Sequence, residues 1–310
     1  MRSLRQLKDR IAGRLFFSMT LLPFVLLAVM IVLLLVRARP LLETKPIGDL
    51  LFGEVWKPDQ GEFGFWPFIT GTVWVTTVAM IVAIPVCLLC SIYLSEYAGS
   101  RVRAIMKPML DLLSGIPSVI FGVWGVIAVV PFVQDVVAPF ASKFLSFVPI
   151  FNTRNNPTGY SIIAGGFVLG VMVTPVIIAV GYEVMQTVPH GLREASLSVG
   201  ATKWQTIKHT VLPKALPGII AGVVLGFSRA FGETMAVLMV VGNVPKVPGS
   251  IFDPAYPLTA LIANNYGEMM SVPLYESALL GAALILLLVV VIFNVLSALA
   301  LHRIVGRSIG

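Results

Sequence analysis

From Leu15 to Val36 the chain carries no charged residue. A helix rises about 1.5 Å per residue, so this run reaches across the roughly 30 Å apolar core of a bilayer. Further long apolar stretches occupy Trp66–Leu94, Pro108–Val133, Ser161–Tyr182, Lys214–Asn243 and Leu274–Leu301. The expectation is an all-α, polytopic membrane protein with six transmembrane helices. Charged residues make up 12% of the chain, against about 25% in an ordinary soluble domain. The net charge of +7 is therefore read as basic excess on cytoplasmic loops, with lipid and not nucleic acid as the surrounding partner.

Arg2, Arg5, Lys8, Arg10 and Arg14 precede the first span. A signal peptide would have a shorter apolar core and a small-residue cleavage site, so this run is read as a retained helix with its N-terminus inside. With six spans the C-terminus, bearing Arg303 and Arg307, returns inside as well. The inside segments then carry 14 Lys and Arg, and the outside loops seven, offset by eight acids. That asymmetry fits a multi-pass protein of the cytoplasmic membrane. The organisation expected is a segment 1–65 with the first helix and an external polar stretch, a core 66–301, and a tail 302–310. Gly115-Ile-Pro-Ser118 is expected to break the third span, Gln134–Tyr160 and Val244–Pro273 to loop outside, and Asp111 to lie at the interface.

Cys87 and Cys90 are spaced CxxC, but both lie in an apolar run, where small buried side chains are the expected reading. His190, His209 and His302 are too scattered for a metal site.

Two stretches carry the functional signal. The first, 188–213, is amphipathic and polar between apolar neighbours, with Gly200 placed to end one short helix and open another. Glu194-Ala195-Ser196, then Gly200, then Leu212-Pro213, resembles the EAA loop of ABC-importer permeases. The resemblance implies a cytoplasmic helix-turn-helix that docks on an ATP-hydrolysing subunit, with Arg193, Glu194, Ala195, Gly200, Leu212 and Pro213 as coupling residues. Ser196 and Thr210 stand where that family usually has Ala and Ile.

The second stretch is the fifth span. Gly218, Gly222, Gly226 and Ala230 recur every four residues, a ridge that lets another helix backbone come close. At roughly 100° per residue, with Gly218 at zero, Arg229 falls near 20° and Glu233 near 60°, within the same stripe. Charge at membrane depth costs at least about 2.5–3.5 kcal/mol per group, so such residues usually serve a pathway. Two readings stand side by side: a self-neutralising Arg–Glu pair one turn apart, and a guanidinium that Glu233 holds until an anion competes for it. Thr72 and Thr76 share a face of the second span and could donate to an anion, or satisfy backbone carbonyls within the helix.

Arg229-Ala-Phe-Gly-Glu-Thr-Met-Ala-Val resembles the signature of phosphate-specific ABC-importer permeases of the PstC type. Leu94-Ser-Glu96-Tyr-Ala98 and Gly115-Ile-Pro-Ser118 are similar to that family too. The resemblance implies a type I ABC-importer permease core of five helices behind an added first helix. It implies passage of inorganic phosphate, and the residues expected on that path are Arg229, Glu233, Thr234, Thr72 and Thr76. It also implies a second permease of PstA type, a pair of PstB-type ATP-binding subunits and an external PstS-type phosphate-binding protein. No G-x-x-x-x-G-K-[ST] occurs, so ATP is expected on the partners and no cofactor on this chain. Competing expectations are a permease for another oxyanion or organic phosphate, and a secondary transporter driven by an ion gradient. An intramembrane enzyme would want paired carboxylates at depth, and only Glu233 is there.

Overall fold

A computed structural model describes residues 2–145, 147–153, 158–267 and 273–308, with side chains placed outside 2–9, 273 and 300–308. Pro157, in the expected external loop, and the last two residues of the 302–310 tail lie outside that set, as do the side chains of Arg303 and Arg307.

Helix α1 spans Arg2–Thr44, α2 Ile47–Phe52, and a short hairpin pairs β1 (Trp56–Lys57) with β2 (Glu62–Phe63). Then follow α3 (Trp66–Ile92), α4 (Ser100–Ser114), α5 (Ser118–Phe144) and α6 (Ile162–Gln186). Helix α7 is His190–Ser198, α8 is Lys203–Phe231, α9 Met235–Val240, α10 Leu258–Asn265 and α11 Pro273–Ser308. Among the described residues six helices are long and apolar enough to cross a membrane.

Several boundaries differ from the sequence reading. Helix α1 continues past Val36 to Thr44, because Arg37 and Arg39 can extend sideways along the helix surface while the backbone stays bonded. Arg37 reaches Glu276 of α11 at 3.5 Å. The third span begins at Ser118, not Pro108. Residues 100–114 form a separate amphipathic helix, with Val102, Ile105, Met109 and Leu112 exposed along one face. Its end is fixed by Gly115, whose N–H reaches the carbonyls of Asp111 and Leu112, and by Pro117, held in extended backbone ahead of α5. Helix α5 in turn runs on to Phe144, through the stretch read as an external loop.

Prolines inside α5 and α8 do not break them, and three of them, Pro131, Pro139 and Pro213, are preceded by a widened turn. A proline cannot donate to the carbonyl four residues back, and its ring crowds that carbonyl. Wide π turns lie at Gly125–Val129 before Pro131, at Val133–Val137 before Pro139, and at Ile207–Val211 before Pro213. Each turn is centred four residues ahead of its proline, so the lost bond is absorbed as one wide turn.

The core is built on α3 and α6, which pack along most of their lengths. Small residues set the distance. A Cβ on Gly170 would stand 2.9 Å from the Ala79 carbonyl oxygen, and Ser91 Oγ bonds both Cys87 O at 2.7 Å and Ile178 O at 3.2 Å. Cys87 is buried, with Sγ 3.6 Å from Thr174 O. Between membrane helices no hydrophobic gain is available from lipid-like surroundings, so close packing and these hydrogen bonds carry the association.

A second core closes the hairpin end. Trp56 stacks edge-on against Phe68 at 4.9 Å and Phe63 at 5.4 Å, and Leu41, Phe65, Tyr256, Tyr275 and Leu279 join it. This cluster ties the last turns of α1 to the first turns of α11.

Candidate functional site

The glycine ridge of α8 lies against α6. A Cβ on Gly218 would overlap Val184, and Cβ atoms on Gly222 and Gly226 would stand 2.8 Å from Val180 and 2.5 Å from Ile177. Ala230 continues the buried line. Arg229 does not share it. Its own ridge is Ala221–Leu225–Arg229, which is exposed, because a four-residue repeat drifts about 40° per step and leaves Arg229 behind. The stripe that was to hold both charges therefore splits into a packed ridge and an open one.

Glu233 is off the helix altogether. Helix α8 ends at Phe231, and Gly232-Glu233-Thr234 forms a break before α9. Glu233 Oε1 accepts from Ala236 N at 3.3 Å, capping α9, and its carbonyl accepts from Thr259 Oγ1 at 2.9 Å. No ion pair joins Arg229 to Glu233, so the expected self-neutralising pair is absent among the described residues. The reason is geometric: the pairing needed one more helical turn, and Gly232 ends the helix first. Thr234, partly buried, donates to Gly232 O at 3.4 Å within the break.

Depth follows from two hydrogen bonds. Leu258 N donates to Thr72 Oγ1 at 2.9 Å, and Thr259 then bonds Glu233. Thr72 lies six residues into α3, about 9 Å below the hairpin end. The break thus lies within the stretch covered by the membrane-spanning length of α3. Irregular backbone at such depth persists only where protein or a water-filled space adjoins it. Arg229, exposed at the last turn of α8, makes no hydrogen bond or ion pair among the described residues. Membrane transporters commonly form substrate sites at discontinuous helices, where half-helix N-termini point at anionic groups.

Thr72 and Thr76 are not on this open side. Both are buried, and Thr72 spends its hydroxyl on Phe68 O at 2.8 Å and on Leu258 N. The structure shows Thr72 holding α10 by these bonds. Thr76, one turn on, is 2% exposed and equally withdrawn.

At the opposite end, α7 and the start of α8 form the helix-turn-helix. Gly200 turns the chain at φ +85°, a region an L side chain enters only at a cost, and donates to Leu197 O at 3.0 Å. Thr202 opens α8 with a reciprocal cap: Gln205 N donates to Thr202 Oγ1 at 3.3 Å, and Thr202 N to Gln205 Oε1 at 2.8 Å. The Thr-x-x-Gln spacing was the sequence signal for it. Glu194, Ala195 and Gly200 face outward, beside exposed Leu192, Leu197, Val199 and Trp204.

Arg193 faces inward. Nη2 meets Glu96 Oε1 at 2.8 Å and Met185 O at 2.8 Å, and Nη1 donates to Val188 O. Both side chains are nearly buried, at 12% and 9% exposure. Arg193 fastens the loop to the bundle, and Glu96 is the partner that sequence reasoning left without a role. Leu212 likewise packs inward, on the small core of Ile92, Met185, Val188, Ile207, Val211 and Ala215, while Pro213 stays exposed.

Residues 87–309 match the family model for the binding-protein-dependent transport system inner membrane component. The chain is 35% identical over 257 residues to a phosphate transport system permease protein PstC of Xylella fastidiosa, covering 82% of this chain and 79% of that one. It is 32% identical over 285 residues to a probable phosphate transport system permease protein PstC of Methanocaldococcus jannaschii, covering 90% and 89%. Among solved structures it is similar to a bacterial ABC transporter involved in import of the acidic polysaccharide alginate, with TM-score 0.57 at 15% identity over 96% of this chain and 99% of that one. The MetNI methionine ABC transporter matches with TM-score 0.54 at 17% identity, covering 81% and 99%. Those structural likenesses concern the fold, which is all-α and of the type I ABC-importer permease kind. The chain belongs to the family of binding-protein-dependent transport system inner membrane components.

Proposed function

We propose that this chain is the membrane-embedded permease of an ATP-driven importer of inorganic phosphate. The observation that carries the reading is Arg229, an uncommitted guanidinium at a helix break along a membrane-spanning helix. Its planar fork of donors suits phosphate oxygens, and a site that pairs weakly with the protein can also let its anion go. The relatives' names point to the same cargo. In this reading the hairpin end faces outward, towards an external phosphate-binding protein, and both termini are cytoplasmic. The outward-facing residues of α7, with Gly200 at the turn, meet an ATP-hydrolysing subunit, and a second permease covers the open ridge of α8.

The test is uptake by proteoliposomes holding the assembled transporter with ATP on the α7 side. Labelled phosphate should enter only with ATP and the binding protein present, and excess sulfate should not compete. Sulfate uptake in place of phosphate, or uptake without an ATPase subunit, would overturn the proposal.

A further inference from the structure

Behind the helix-turn-helix lies a cavity of about 380 Å³, lined by polar side chains from five elements. Ser95 and Glu96 come from the turn after α3, Arg103 from α4, Arg193 from α7 and Lys203 from the start of α8, with Gln186 at the end of α6. The charges do not balance. Arg193 and Glu96 satisfy each other. Arg103 gives one hydrogen bond to Ser95 O at 3.0 Å, while its Nε is buried without a partner. Lys203 rests over the Tyr97 ring at 4.6 Å, and neither it nor Arg103 pairs with a carboxylate among the described residues. A buried guanidinium nitrogen left without an acceptor costs more than an ordinary lost bond.

We infer that this cavity binds a small tetrahedral oxyanion, inorganic phosphate or a phosphate headgroup, between Arg103 and Lys203. The anion neutralises the surplus charge of Arg103 and Lys203, which line the cavity without a carboxylate partner among the described residues. Gln186 and Ser95 already bond each other at 3.2 Å and line the polar wall beside it. Because its two cations belong to α4 and to the first turn of α8, a bound anion bridges them and joins α4 to the coupling loop. The site is at the opposite end of the molecule from Arg229 and does not form part of the proposed path.

The test is chemical footprinting of Lys203 in the complete transporter, reconstituted in nanodiscs of neutral lipid. An amine-acetylating reagent is applied with and without phosphate, and labelling is read by mass spectrometry. At ten times the dissociation constant, acetylation of Lys203 should slow about tenfold. Arg103→Gln should abolish that protection, and Arg229→Ala should leave it intact. The choice of phosphate as probe rests on the cargo proposed above, so sulfate is run beside it. Protection by either anion upholds the site even if uptake assigns another cargo. Protection that needs added anion identifies a free ligand, and protection that follows the phosphatidate content of the disc identifies a headgroup; both support the inference. Lys203 labelling indifferent to both would overturn it. So would protection that is present without any added anion and is lost when the ATPase subunit is left out, which assigns the cavity to a partner's carboxylate. If Arg103→Gln fails to assemble, Lys203→Gln serves instead, with loss of one bound labelled phosphate per chain as the expected result and unchanged stoichiometry as the refuting one.

Discussion

Arg193→Met should unfasten the coupling loop. The substitution keeps the bulk of the stem but removes the charge and the donors to Glu96 Oε1, Met185 O and Val188 O. Glu96, 9% exposed, is then a buried carboxylate without its cation. Breaking a buried pair from one side costs about 3–5 kcal/mol, far more than the pair itself contributes over a neutral replacement. At about 1.4 kcal/mol per factor of ten, local opening of α7 rises by roughly two to three powers of ten. Amide hydrogen exchange in nanodiscs reads this directly. Exchange in 190–198 should quicken by at least about a hundredfold, while the centre of α6 stays protected. Glu96→Gln added to Arg193→Met should recover part of the loss, since no orphan charge remains. The exposed pair Arg39–Glu43, at 76% and 62% exposure, is the control, and Arg39→Met should change little. Equal exchange in wild type and Arg193→Met, or a double variant worse than the single, would refute the reasoning.

Arg229→Ala should abolish ATP-driven uptake in a complex of normal abundance, and Arg229→Lys should restore only part of it, because the fork of donors is lost; wild-type uptake in the alanine variant would remove Arg229 from the path. Gly226→Val places branched carbon where Ile177 Cδ1 already stands 2.5 Å from the position a Cβ would take, and a loss of about 1–3 kcal/mol should appear as a lower midpoint of thermal unfolding. Thr72→Val leaves Leu258 N buried without its acceptor, costing about 1–3 kcal/mol, yet the apparent affinity for phosphate should not move. Gly200→Val forces a branched residue to φ +85°, so coupling of ATP hydrolysis to uptake should fall while the bundle keeps its melting point.

The spans were legible because uninterrupted apolar length has no other use. What the sequence hid was mostly the behaviour of prolines and helix ends. Pro139 lay in the stretch read as a loop, but it and Pro131 are each accommodated by a wide turn, so α5 continues to Phe144. Arg37 and Arg39 read as the end of the first span, although long cationic stems tolerate a position near an interface. Pro108 joined the third span on composition, while the period of Val102, Ile105, Met109 and Leu112 was the better guide to a separate helix. At the site, Arg229 stood out as a deep charge. Its relation to Glu233 could not be read, because helical arithmetic holds only while the helix continues, and Gly232 stops it. The inward turn of Arg193 depends on Glu96, nearly a hundred residues away in sequence, and no local pattern announces such a pair.

The glycine ridge of α8 has a mechanical consequence. Because Gly218, Gly222 and Gly226 seat Val184, Val180 and Ile177 with no slack, α8 cannot slide along α6, and α6 is held as tightly to α3. The helix-turn-helix is strung between the ends of α6 and α8, and Arg193 rivets it to the end of α3. A force applied at Gly200 therefore meets three helices packed as one block, which ends at the break Gly232–Thr234 beside Arg229.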